Sequence, residues 1–285
     1  MNSLTRPPLE SPPEQVRLAF ALAPSGASYV ARQQVGYPFH LGRNLRLPDD
    51  PQGMAAVYLQ SCSGGLFAGE NLGLRLLASA GARVHLSTGA ATIAHSMLER
   101  PARQRISIEA ETGALLEYLP LATILFPQAR LHSQIEVTLH PGARVMLCDA
   151  FCLHAPEGGN GLFGWYRADL EVKDAGGRLL AADHLYVEGD DFKRGLPGIN
   201  EGVGVVGTFM MLADDLPADE LCGLLRAALA RVDGLYAGVS ALPGDCGVVV
   251  RLVAARSPEL RKGLHQAWAT MRRYLTGREP QPRRL

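Results

Sequence analysis

The sequence predicts a mainly β protein of stacked antiparallel hairpins, β-helical or sandwich-like in their stacking, with two α-helices in the C-terminal half. Three observations predict it. Short runs of period-2 alternation, the pattern of strands with one buried face, fill the chain after Gly53. A unit of strand, glycine turn and strand recurs four times, and helical periodicity is confined to two late segments.

The first unit runs from Leu72 to Ser79, turns at Ala80 and Gly81, and returns from Ala82 to Thr88. Ile106 to Ala110 turns at Gly113 into Ala114 to Leu119; Ile135 to Leu139 turns at Gly142 into Ala143 to Leu147; Leu170 to Val172 turns at Gly176 and Gly177 into Leu179 to Ala182. Each is a hairpin candidate. Turn glycines 81, 113, 142 and 177 lie 32, 29 and 35 residues apart, a loose period that implies stacked units sharing one core. In the third unit Ile135, Val137 and Leu139 alternate with Gln134, Glu136 and Thr138, which sends one face to the core and the other to water.

Asp214 to Asp233 reads as the first helix. Pro217 suits a first turn, acids cluster near the start, and Leu221, Leu224, Leu225, Ala228 and Leu229 form one apolar stripe. Ser257, as N-cap, with Pro258 and Glu259 opens the second, which runs to about Leu275 before Gly277 and Pro280. Val248 to Val253 is a strand between them. Residues 1–15, with Pro7, Pro8, Pro12 and Pro13, read as a disordered leader, which leaves 16–285 as a single domain.

At 285 residues and 47% hydrophobic the chain can bury a large core. Its 28 basic side chains balance 28 acidic ones, so no overall field recruits a polyanion and no nucleic-acid partner is expected. No window approaches the roughly 18 consecutive apolar residues of a membrane span, so no membrane partner is expected either. Five scattered cysteines, an odd number, point to a reduced, cytoplasmic protein with buried thiols.

Compact catalytic signatures are missing. Gly202, Gly204 and Gly207 satisfy GxGxxG, but a loop precedes them and a strand-like run follows, the wrong context for a dinucleotide cradle. Neither GxxxxGK[ST] nor GxSxG occurs. Cys148, Cys152 and His154 share a strand face and are soft metal ligands, although a row of core thiols has the same spacing. The eight histidines show no HxH or HxxxH spacing. A β-rich metal-dependent enzyme using His85, His95 or His154 with an acid therefore stays open as an alternative.

The most unusual stretch is Ser61 to Asn71 (SCSGGLFAGEN), where glycines permit positive φ and close backbone approach and a loop presents Glu70. A long hairpin turn is the plainer account of it. The run Tyr58 to Thr92 resembles the urease accessory protein UreD family, also called UreH, with Gly64, Gly65, Gly69, Thr88, Ala90, Ala91 and Thr92 matching in order. Leu116 to Pro120 resembles the family's LEYLP segment, Val205 to Leu212 its VxGT strand, and Gly238 to Leu252 with the Trp268 helix its C-terminal part, so the resemblance covers about residues 15–285.

The resemblance implies a cytoplasmic, non-catalytic β scaffold that joins a UreF-type protein and a UreG-type GTPase on apo-urease while nickel is delivered. No tightly bound cofactor is implied, only transient nickel. Gly64, Gly65, Gly69, Glu70, Thr88 and Thr92 form its partner or loop motif. Glu70, Asp149 and Glu117 are candidate weak ligands for a passing cation, with surface acids on turns and strand ends as the alternative. The chain departs from the family pattern at Glu70 (Asp), Ile93 (Lys), His154 with Ala155 (Gly-Arg) and Asn160 (Glu), which leaves a divergent member and a paralogue with another client both open.

Overall fold

The computed structural model describes residues 14–154, 161–196 and 201–280. In chain order the strands begin with β1 (Glu14–Leu22), β2 (Ser28–Val35), β3 (Phe39–Leu41), β4 (Ala55–Ser61), β5 (Asn71–Ala78), β6 (Arg83–Thr88) and β7 (Ile93–Ala94). β8 (Ala102–Ala110), β9 (Leu115–Tyr118), β10 (Thr123–Leu125), β11 (Arg130–Leu139), β12 (Arg144–Leu153), β13 (Trp165–Asp174) and β14 (Leu179–Glu188) follow. The C-terminal part comprises α1 (Gly189–Arg194), β15 (Val205–Leu212), α2 (Ala218–Leu229), β16 (Leu235–Ala241), a 3-10 turn at Pro243–Asp245, β17 (Gly247–Ala254) and α3 (Ser257–Thr276).

The strands form two sheets. Sheet A has the order β14-β13-β11-β8-β5-β1-β2, and sheet B the order β16-β17-β15-β12-β9-β6-β4-β3, with β10 and β7 branching from β12. The mainly β class and the stacking of repeated units stand as the sequence predicts. The pairing inside three of the units does not. β5 and β6, β8 and β9, β11 and β12 are not hairpins: each unit crosses from sheet A to sheet B, and its strands pair in parallel with the equivalent strands of the neighbouring units. Only the fourth unit, β13 and β14, is an antiparallel hairpin. Period-2 alternation and a glycine turn are common to both arrangements, which is why the sequence alone did not separate them.

The corner built from the turn glycines shows what makes parallel stacking favourable. Gly81, Gly113 and Gly142 take nearly identical left-handed conformations (φ 69°, 69° and 70°), and each turn bonds the next, with Gly81 N–H donating to Thr112 O and Gly113 N–H to Pro141 O. Ala82, Ala114 and Ala143 follow these glycines and are fully buried, so small residues let the coils stack in register.

Sheet A packs on sheet B through the inward sets of each coil, for example Leu74, Leu76, Ile106, Ile108, Ile135 and Val137 against Val84, Leu86, Leu116, Val145 and Leu147. The far side of sheet B carries α2 and α3 over Met146, Cys148, Phe209, Val250 and Leu252. The molecule is thus three layers: sheet, sheet, helices. Gly207, the last glycine of GxGxxG, lies in β15 where an added Cβ would stand 2.9 Å from Leu260 of α3, so the glycine serves close helix packing and the motif opens no helix.

Three boundaries differ from expectation. Glu14 and Gln15 belong to β1 and not to a leader: the Gln15 side chain holds the register break between β1 and β5 by bonding the Gly73 N–H and Asn71 O. The rest of the predicted leader, 1–13, lies outside the described residues. α3 begins at Ser257, with Arg256 as its N-cap, so Ser257 is freed to donate to Cys152 Sγ at 3.3 Å. α1, six residues long, is a third helix too short for its periodicity to register; its end bonds Glu188 and Asp191 reciprocally.

Gly113 has open space where a Cβ would stand, so only its backbone conformation is at stake. Gly113→Val is expected to lower stability by about 1–3 kcal/mol through forced positive φ, as read from urea unfolding.

Candidate functional site

Glu117 sits on β9 with its side chain toward the helices and is fully buried. Arg272, on α3 and equally buried, reaches it with a two-pronged grip: Nε donates to Oε1 at 2.8 Å and Nη2 to Oε2. The same guanidinium donates through Nη1 to Asp50 Oδ1 at 2.6 Å and lies 4.5 Å over the Trp268 ring, one helical turn back. His85 Nδ1, on β6, completes the set at 2.7 Å from Glu117 Oε2, its ring 5.2 Å from that of Trp268. Burial alone would raise the Glu117 pKa, but the bonds from His85 and Arg272 outweigh it and lower the pKa from 4.5 to about 2. Both carboxylate oxygens are engaged and the side chain has no solvent exposure, so Glu117 is placed as a helix anchor.

Asp149 lies elsewhere, on the opposite face of sheet B. It points between the sheets into a crevice lined also by Tyr166, Asp183, Thr208 and Arg251. Tyr166 Oη donates to both carboxylate oxygens, at 2.8 and 2.7 Å. Burial, with a further push from Asp183, raises the Asp149 pKa against the Tyr166 bond, and burial beside Asp149 pushes the Tyr166 hydroxyl well up. At the rim Arg251 bonds Asp183 of β14 and, at 2.8 Å, the Thr208 hydroxyl, which ties the edge of sheet A to sheet B. The crevice therefore gathers two carboxylates and two hydroxyls, an all-oxygen set, around one guanidinium.

The glycine-rich stretch is a third place. It crosses from β4 in sheet B to β5 in sheet A, so it is an inter-sheet arch and not a hairpin turn. Gly65 (φ 148°) passes so close to the next coil that an added Cβ would fall 2.3 Å from Ile93 O and 2.9 Å from the His95 ring. Glu70 turns back on its own loop, one oxygen accepting from Phe67 N–H at 2.9 Å. Thr88 Oγ1 accepts from Leu121 N–H at 3.0 Å, and the Thr92 carbonyl from Ile124 N–H. Beside the arch Phe67, His95, Phe126 and His154 form a column of rings with centroids 4.5, 5.4 and 3.9 Å apart, the outer pairs stacked and the middle pair tilted. They are equivalent positions of successive coils, spaced 28, 31 and 28 residues.

Glu70, Asp149 and Glu117 thus occupy three separate places. His85 finds its acid only inside the closed anchor, while His95 and His154 belong to the ring stack. Cys148 and Cys152 face the helices and His154 does not join them; among the described residues no group of three His, Cys, Asp or Glu side chains is placed to hold a metal ion. Ala155 and Asn160 lie outside the described residues. Sequence reasoning missed Arg272, Asp50 and Trp268 around Glu117, and Tyr166, Asp183, Thr208 and Arg251 around Asp149. The 28 to 31 residue recurrence of Phe and His, close to the glycine spacing, is the signal in the sequence from which the ring column could have been found.

A family model described as UreD urease accessory protein matches residues 13–285. The chain belongs to the UreD urease accessory protein family. It is 63% identical over 267 residues, 94% of each chain, to urease accessory protein UreD 1 of Pseudomonas syringae pv. tomato. It is 34% identical over 279 residues to UreD 1 of Methylorubrum extorquens, covering 96% of this chain and 94% of the relative. Urease accessory protein UreD of Natronomonas pharaonis is 31% identical over 281 residues, 97% of this chain and 93% of the relative. The UreD match extends through α3, so the helix that carries Arg272 lies within the family domain. Among the described residues no helix is long and apolar enough to cross a membrane.

Because the folded pKa of Glu117 is depressed, its ion pair contributes stability fully above about pH 4.5 and loses it as pH falls toward about 2. Glu117→Gln should remove that acid dependence. At pH 7 it should cost about 3–5 kcal/mol, since Arg272 is left buried with Asp50 alone. Urea unfolding of wild type and variant at pH 7 and pH 3 checks both; equal stabilities at pH 7 would show that the anchor contributes nothing.

Proposed function

We propose that this UreD family member is a non-catalytic, cytoplasmic scaffold in urease maturation, which holds apo-urease together with a UreF-type protein and a UreG-type GTPase during nickel insertion. The family match over residues 13–285 carries the reading. The architecture supports it: a rigid stack of coils braced by a buried anchor presents fixed surfaces, as an adaptor requires. With nickel as cargo, the residues to hold it in passing are Asp149 in the crevice and Glu70 on the arch. Carboxylate and hydroxyl oxygens without a thiolate grip a divalent ion weakly, which suits release. Glu117, closed in its anchor, takes the structural role. Gly64, Gly65 and Gly69 shape the arch, and Thr88 and Thr92 tie the coil beside it.

The test is complementation of a urease-positive strain lacking its own UreD, with urease activity and urease-bound nickel as readouts. The wild-type chain should restore both; failure with soluble, co-expressed partners would sink the reading. Asp149→Asn keeps an acceptor for Tyr166, and Glu70→Gln keeps one for Phe67 N–H, so both should fold as wild type. Each is expected to lower nickel loading severalfold while the amount of partner co-purified holds. Full loading by the double variant would remove nickel from this chain and leave scaffolding alone.

A further inference from the structure

The two sheets have four edges, and three are protected. β3 is three residues long, β2 meets β1 across a register break and exposes Arg32, Gln33 and Gln34, and on β16 Arg226 of α2 donates to the outward Val239 carbonyl at 2.7 Å. β14, the last strand of sheet A, is ten residues long and contains neither proline nor lysine. Gly189 N–H bonds Gly164 O, continuing the β13–β14 register, so by alternation Val187, Leu185 and Asp183 turn their backbone groups to β13. Ala182, His184 and Tyr186 turn theirs outward, where no other described residue bonds them. The 3-10 turn closes the strand's start at Leu180, and Asp191 takes the Glu188 N–H at its end.

Sheet B extends beyond this edge. The Asp183–Arg251 bond sets β14 above β17, and β16 lies one strand further out with no strand of sheet A over it. On that uncovered side Tyr236, Gly238 and Ser240 stand beside Val253, Arg251 and Val249. Tyr236 is 78% exposed, and nothing lies within 4 Å of a Cβ added at Gly238, so a notch opens between Tyr236 and Ser240. The shelf is one strand wide. A second copy of this chain pairing edge to edge would bring its own sheet B into the space that β16 fills, whereas a single strand fits.

We propose that a partner protein adds one extended segment to the outer edge of β14, bonded to Ala182, His184 and Tyr186 and roofing β16, with a bulky apolar side chain entering the Gly238 notch. The inference rests on the scaffold reading in that the partner is a protein of urease maturation. The backbone supplies affinity and the notch supplies selectivity.

The probes are labelled overlapping peptides covering the urease subunits and accessory proteins of the same organism, titrated against the full chain by fluorescence anisotropy. At least one should bind and slow deuterium exchange of the Ala182, His184 and Tyr186 amides. Ala182→Pro, which removes an outward N–H, and Gly238→Trp, which fills the notch, should each weaken that peptide at least tenfold with unchanged unfolding midpoints; Tyr236→Lys serves if either fails to fold. No binding peptide, or one held equally by the folded variants, overturns the proposal. Complementation by the wild-type chain judges the scaffold reading separately, and a strand that binds as predicted without complementation would leave the edge standing and the scaffold fallen.

Discussion

The bidentate contact between Arg272 and Glu117 is the constraint on which the layered structure depends. A parallel stack of coils has two sheet faces, and only one can be satisfied by the opposite sheet; the other face of sheet B is apolar and must be covered. α3 covers it, and a long helix on a twisted sheet could slide by a turn at little cost in buried area, since apolar contact is non-directional. An arginine fork does not permit this. It fixes both the rotation of α3 and its height along the sheet, because Arg272 meets Glu117 on β9 and Asp50 before β4 at once, and Glu117 is held in turn by His85 on β6. Charge burial is a poor source of net stability, so the pair is better understood as setting the register of helix on sheet.

That division of labour explains why the two carboxylates differ. Glu117 and Asp149 lie on opposite faces of the same sheet, the first fully buried and the second half-buried in the crevice. One faces a cation and is held ionised; the other faces a tyrosine hydroxyl and a second carboxylate, and its pKa is raised. The sheet isolates them from each other, so one carboxylate is closed into fixed structure while the other stands in a crevice between the sheets.

Much of the fold was legible in the sequence because the signals were local. The alternation of Ile135, Val137 and Leu139, the turn glycines and the stripe on α2 each report on neighbours a few residues away. Strand pairing was not legible, because a β-arch and a hairpin share those signals and differ only in which distant strand accepts the hydrogen bonds. The candidate site divides the same way. Gly65 was singled out by its loop, and its φ and its approach to Ile93 show why no other residue suits. Glu117 stood in a visible segment, but its partner lies 155 residues on, and an arginine in a helix carries no mark of burial. Asp149 was picked out, while Tyr166, Thr208 and Arg251 come to it from three other strands.

A solenoid also concentrates its unfinished business at its ends. Inside the stack every strand is paired on both sides, so the coils that repeat most faithfully have nothing left to offer a partner. The last coil departs from the repeat: of the four units only β13 and β14 form a hairpin, the chain then leaves sheet A for good, and sheet B continues through β15, β17 and β16. The mismatch places a bare edge, an uncovered shelf and the mouth of the Asp149 crevice in one region, joined by Asp183 and Arg251. Arg251 is the tie between these features: one guanidinium holds Asp183 on the edge strand and Thr208 in the wall of the crevice, so the end of sheet A is fixed to sheet B at the point where the repeat stops.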